Sequence, residues 1–252
     1  MPPKQQRGLP GAPQLTGAIL AGGFSRRLGQ DKAARQLGGK PLALWVNEAL
    51  APLVASCWLI TNQPLAHLAF GLPLLTDLRP FQGPAGGLLT ALFMAKTPWV
   101  LAAAVDNPFL APALLSELAA RAGRTARPAV VCRSPRGLEP FPGLYAVRLL
   151  PALQDFLQAD RRPTRFLDVC RPEIISEAEG SALDPEGRSF FNLNTLRDLN
   201  RAQVWLAGRG SLRDPAGGVG ADLDHLRRPG RWLHLRLWSC HRQNRPRRRA
   251  EP

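Results

Sequence analysis

Apolar residues along this chain cluster in short continuous runs, at 17–21, 56–61, 72–75, 98–105 and 128–133. Runs of this length, bounded by turn residues, suit strands buried on both faces. Between them, 41–55, 84–96 and 111–122 have the length and make-up of helices. Pro41, Pro84 and Pro112 stand near their starts, where a missing N–H costs nothing. Strands and helices in alternation predict an α/β domain. Its sheet is expected to be open, Rossmann-like and mostly parallel, with helices on both faces. A second region, 137–204, mixes strand-like segments (143–148, 172–176) with helical ones (149–159, 195–205).

The same pattern marks the ends. Residues 1–15 are rich in Pro, Gly and Gln and read as a disordered lead-in. Past about Leu206 the periodicity fails, so the folded domain is expected over 16–204 and a basic, flexible tail over 205–252. Charge sharpens this division. The chain carries +14, but 11 Arg against 4 acids place +7 in 205–252, and Lys4 and Arg7 place +2 in the lead-in. The body keeps +5, which suits phosphorylated substrates and makes nucleic acid an unlikely target for it. The simplest reading of the tail is that it has no function, being even a read-through or frame-shifted end. An RNA, membrane-surface or partner-binding tail is the sharper alternative.

A hydrophobic share of 45% is enough for a core. No apolar run approaches the 18 residues of a membrane span. The basic N-terminus precedes no apolar stretch of the secretory kind. Cys57, Cys132, Cys170 and Cys240 form no C-x-x-C pair, so neither a zinc ribbon nor a redox motif is indicated. A cytoplasmic setting is expected, with Cys57 and Cys132 as core residues.

The most informative stretch follows the first apolar run. Residues 20–32 read Leu-Ala-Gly-Gly-Phe-Ser-Arg-Arg-Leu-Gly-Gln-Asp-Lys. Glycine lets backbone N–H groups approach an anion, and arginine and lysine neutralise it. The loop therefore suits a polyphosphate. Neither the P-loop pattern nor G-x-G-x-x-G is present. A plain Gly-rich turn with a solvated basic face is the bland alternative.

Open α/β sheets bind ligands at the carboxyl ends of their strands, and polar residues fall there repeatedly. The loop begins at Ala21. Asn62 ends the 56–61 run, Asp77 follows 72–75, and Asp106 ends 98–105. Four such groups can converge on one crevice. Asp106, followed by Asn-Pro, suits Mg²⁺, which takes one or two carboxylates and keeps waters and phosphates. The competing reading is an Asx turn or a cap for the helix at 111.

Taken in order, the opening loop spells L-A-G-G-x-S-x-R-x-G-x-D-K. This resembles the nucleotide-binding loop of the nucleotidyltransferases, most closely the molybdenum cofactor guanylyltransferases. The resemblance spans about 16–204. It takes in Asp106-x-Pro108, Gly83-Pro84-x-x-Gly87-Leu88, the weaker Glu139-Pro140 and Gly143-Leu144-Tyr145, and Phe191-Asn192-Leu193-Asn194-Thr195. Leu196 replaces the family's proline after Thr195, so Thr195 or Asn194 is expected to cap the next helix. Gly23 is similar to the guanylyl branch, whereas cytidylyl and sugar-nucleotidyl relatives usually carry Leu-Ala-Ala-Gly.

The resemblance implies GMP transfer from GTP to the terminal phosphate of molybdopterin (Mo-molybdopterin), with release of pyrophosphate. It implies Lys32, Arg26 (or Arg27) and Asp106 as catalytic residues, with Mg²⁺ on Asp106. It implies a nucleotide held by Leu20, Ala21, Gly22, Lys32, Asn62, Asp77 and Asp106. It also points to molybdoenzymes or other cofactor-biosynthesis proteins as partners. A cytidylyl- or sugar-phosphate nucleotidyltransferase, a basic-tail RNA- or membrane-binding protein and a non-catalytic GTP-binding adaptor remain as alternatives.

Overall fold

The computed structural model describes residues 14–22, 31–80 and 82–210. Residues 1–13 of the lead-in, Gly23, Arg26, Arg27 and most of the 205–252 segment lie outside the described residues, as does Cys240, while Leu15, expected in the lead-in, opens the first strand. The strands are β1 (Leu15–Leu20), β2 (Gln36–Leu37), β3 (Lys40–Pro41), β4 (Ser56–Ile60), β5 (Leu74–Leu75), β6 (Trp99–Ala104), β7 (Ala129–Ser134), β8 (Gly137–Ala146) and β9 (Glu173–Ile175). The helices are α1 (Leu42–Leu50), α2 (Pro64–His67), α3 (Gly83–Met94), α4 (Pro112–Arg121), α5 (Leu150–Ala159), α6 (Pro163–Cys170), α7 (Glu177–Leu183) and α8 (Leu196–Gly210).

One seven-stranded sheet runs β5-β4-β1-β6-β8-β7-β9, and β2 and β3 form a separate hairpin. β5, β4, β1 and β6 are mutually parallel. β8 runs antiparallel to both β6 and β7, and β9 is parallel to β7. The sheet is thus mostly parallel, with β8 as the exception. Residues 143–148 looked like a short strand because Pro140 and Pro142 mask its first half, which holds its place through a bulge between Val131 and Cys132.

The period of two along each strand divides the core into two layers. Leu15 and Ile19 of β1 face the same side as Trp99, Leu101 and Ala103 of β6, and α1 and α4 cover them with Leu42, Val46, Leu114 and Leu118. Ala18 and Leu20 face the other side with Val100 and Ala102, under Leu88, Leu92, Leu153 and Phe166 of α3, α5 and α6. Burial on both faces is why these strands read as unbroken apolar runs. Cys57, Cys132 and Cys170 are core residues. Burial pushes each thiol up to about 12, so all three stay protonated and unreactive.

α8 runs on to Gly210, past the expected domain end at 204. Trp205 packs edge-on against Phe109 and Phe191, and the guanidinium groups of Arg188 and Arg201 lie over its ring. The helix opens as expected at Thr195. Asp198 Oδ2 accepts from the Thr195 N–H at 2.7 Å, and the Thr195 hydroxyl accepts from the Asp198 N–H at 3.1 Å. This reciprocal pair replaces the missing proline. Among the described residues, no helix is long and apolar enough to cross a membrane.

Candidate active site

The chain leaves β1, builds β4 and β5 on one side of it, then returns to place β6 on the other. The reversal falls between β1 and β6, which is where an open α/β sheet leaves a crevice. Two backbone bonds fix this edge. Ala21 N donates to Ile60 O at 2.9 Å, and Val105 N donates to Leu20 O at 3.1 Å. The carboxyl ends of β5, β4, β1 and β6 therefore stand side by side. At about 4.8 Å per strand they span roughly 15 Å.

Two polar clusters stand on this edge. At the β1–β6 end, Lys32 Nζ donates to Asp106 Oδ2 at 2.7 Å and to Asn194 Oδ1 at 2.7 Å. Leu193 N donates to Asp106 O at 2.9 Å, and Arg35 Nη1 donates to Leu193 O at 3.3 Å. Residues 162 positions apart thus meet on one ammonium group. Asp106 does not cap the following helix. The N-cap of α4 is Ala111, without a side-chain bond.

At the β4–β5 end, Asn62 Nδ2 donates to Asp77 Oδ2 at 2.9 Å. Asp77 is 5% exposed, and its Oδ1 has no hydrogen-bond partner among the described residues. A Cβ on Gly22 would sit 2.7 Å from Asp77 Oδ2, closer than such contacts allow. Glycine at 22 is what lets the β1 loop lie against this carboxylate. Burial raises the Asp77 pKa above the usual carboxylate value, and the bond from Asn62 offsets part of that rise.

The sign of this shift predicts a pH-dependent cost. A carboxylate with a raised folded-state pKa favours folding at acid pH and loses that contribution as pH rises through the folded value. Asp77→Asn is therefore expected to raise the melting temperature at pH 7–8, with the gain vanishing below about pH 4. Thermal melts of both proteins across this range check it.

The site expectations divide accordingly. Lys32 and Asp106 meet directly, as do Asn62 and Asp77, and Leu20, Ala21 and Gly22 lie between the two pairs. Arg26 lies outside the described residues. Asn194, expected only as a helix cap, joins the site, as do Arg35 and His67. Asn194 sits in the quoted Phe191–Thr195 motif, which was the available signal. Arg35 and His67 had none, since only the tertiary fold gives them their partners.

A cleft of about 360 Å³ opens beside Arg133, Arg136, Asp184, Phe190 and Phe191. β6 and β7 both run antiparallel to β8, so the carboxyl end of β7 lies on the same sheet edge as Asp106.

An open α/β sheet with polar groups at its switch point defines a ligand-binding crevice at that edge, and the comparisons give its class as a nucleotidyltransferase. Residues 17–174 match the MobA-like NTP transferase domain. The chain is 32% identical over 198 residues to a molybdenum cofactor guanylyltransferase of Desulfosudis oleivorans, covering 77% of this chain and 98% of that one. It also superposes on molybdopterin-guanine dinucleotide biosynthesis protein A of Archaeoglobus fulgidus, with a TM-score of 0.68, 27% identity, and coverage of 77% and 99%. The manganese complex of Rv0371c from Mycobacterium tuberculosis shares the fold, with a TM-score of 0.57, 18% identity, and coverage of 76% and 98%. The chain belongs to the molybdenum cofactor guanylyltransferase family.

Proposed function

We propose that the protein transfers GMP from GTP to the terminal phosphate of molybdopterin and releases pyrophosphate. The observation that carries this reading is the Lys32–Asp106–Asn194 cluster at the switch point of a sheet of this family. A phosphate oxygen of the acceptor attacks the α-phosphorus of GTP, and the bond from that phosphorus to the β-phosphate oxygen breaks. The acceptor phosphate is already ionised at neutral pH, so no general base is needed. What the protein must supply is placement and charge neutralisation.

Lys32 neutralises charge gathering on the phosphates, joined by Arg26 from the β1 loop. The backbone of Leu20, Ala21 and Gly22 holds the nucleotide along its length, with Asn62 and Asp77 at the nucleoside end. The cleft beside Arg133 and Arg136 receives the acceptor. Asp106 fits Mg²⁺. It is one half-open carboxylate, 16% exposed, and no group of three or more His, Cys, Asp and Glu forms a cage among the described residues. That suits a cation whose remaining ligands are water and phosphate. Held there, Mg²⁺ would supply electrostatic stabilisation of the phosphates.

Pyrophosphate release tests the reading. With molybdopterin and Mg²⁺, turnover is expected with GTP and at least about ten-fold less with CTP, the discrimination of one good polar contact. Preference for CTP would make the protein a cytidylyl enzyme, and GTP binding without turnover would make it an adaptor.

A further inference from the structure

Lys32 reaches Asp106 and Asn194 on a flexible four-carbon stem, so the turn that carries it has to be fixed. The residue before it does this. Asp31 Oδ1 accepts from the Ala33 N–H at 3.0 Å, closing an Asx turn around Lys32. The other oxygen, Oδ2, pairs with Nε2 of His67, the last residue of α2. His67 is fully buried, and its ring stacks on Phe70 with centroids 5.1 Å apart. Its Nδ1 is buried with no hydrogen-bond partner among the described residues.

A residue present only to fill this space would be Leu or Phe. Histidine here leaves one ring nitrogen without a partner among the described residues, a desolvation cost that an apolar side chain avoids. What the imidazole provides in exchange is the bond to Asp31. Without it, Asp31 is a carboxylate one residue from Lys32 held only by the Asx-turn bond to Ala33, with its second oxygen unrestrained. It could then draw the ammonium away from Asp106 and Asn194, and it would set negative charge beside the site.

We infer that His67 is a positioning residue: by holding the Asp31 carboxylate it keeps Lys32 aimed at Asp106 and Asn194. The inference rests on the reading of Lys32 as a phosphate contact. α2 begins directly after Asn62 and Gln63, so the segment that leaves one polar cluster also steadies the other.

The test uses His67→Leu, His67→Gln, Asp31→Asn and Asp31→Ala, each checked by circular dichroism. Glutamine places an N–H donor near the position of Nε2, whereas leucine cannot donate. His67→Leu is expected to lower kcat for GTP by about 10–100-fold, the scale for a misplaced catalytic group or a lost supporting partner, with KM changed less. His67→Gln should stay within about three-fold of the wild type. In the Asp31→Ala background, His67→Leu should cost less than about two-fold more, because the two residues act as one unit. Wild-type kcat in folded His67→Leu, equal damage from Gln and Leu, or additive penalties would each overturn the inference. If His67→Leu does not fold, Asp31→Asn decides: it keeps the Asx turn but weakens the bond to His67, and unchanged kcat refutes the clamp. Proton NMR separates this from the functional reading. A downfield imidazole N–H signal lost in both His67→Gln and Asp31→Asn supports the His67–Asp31 bond even if the wild type transfers no GMP, and its absence from the wild type overturns it.

Discussion

Asp106→Ala is expected to lower kcat by about 10²–10³-fold while the protein stays folded, on the scale seen when one preorganised charge contact is removed. Asp106 stands at the end of β6 with its backbone carbonyl tied to Leu193 N, so the loop keeps a bond when the side chain is lost. The ion pair to Lys32 is partly exposed, with side-chain exposures of 23% and 16%. Pairs of that kind contribute little to stability, about 0–1 kcal/mol. The effect should therefore appear in turnover and not in the melting temperature. Asp106→Asn sharpens the result, because the amide still accepts from Lys32 but carries no charge for a cation. If Asn is as inactive as Ala, charge is the requirement. Full activity in a folded Asp106→Ala protein would sink the metal assignment. The measurements are steady-state pyrophosphate release over a range of Mg²⁺ concentrations, and a melt.

Lys32→Ala should fall by a similar factor, about 10²–10³ in kcat/KM. The ammonium has three N–H donors, and two are committed to Asp106 and Asn194 at 2.7 Å each. That leaves one, in a direction the other two fix. Lys32→Arg keeps the charge but presents a planar fork, which cannot meet these acceptors as a point charge does. It should recover less than about a tenth of wild-type kcat/KM. An arginine variant close to the wild type would mean that charge alone suffices and the three-way contact is incidental. Asn194→Ala should then leave turnover unaltered as well.

How far the sequence alone leads depends on the range of the interaction. Strands buried on both faces leave unbroken apolar runs, so β1, β4, β6 and β7 were legible to within two residues. Their alternation with α1, α3 and α4 carried the fold class. β8 was harder because prolines interrupt it, and α6 and α7 because each is short, at eight and seven residues. α8 runs six residues past the expected boundary at 204. The docking face of α8, with Leu199, Ala202, Trp205 and Leu206, keeps the helical period, but the Ala-Gly-Arg-Gly end that follows carries no apolar residue large enough to extend it. At the site, residues following strands could be read from position alone, as with Asn62, Asp77 and Asp106. Residues whose role depends on a distant partner could not. His67 meets Asp31 across 36 positions, and no local pattern announces it.

β1 lies inside the sheet, third of its seven strands, yet it is the first strand of the chain, and its neighbour β6 begins 84 residues after β1 begins. During synthesis this interior strand therefore emerges long before both of its partners exist. Contacts of such separation are slow to form. Asn194 arrives later still. A ribosome-bound or prematurely ended chain that stopped short of Asn194 could lay down much of the sheet and still lack the third member of the lysine cluster. Competence for chemistry is in this sense a property of the finished polypeptide. A proteolytic cut just before Asn194 should silence the enzyme before it unravels the sheet.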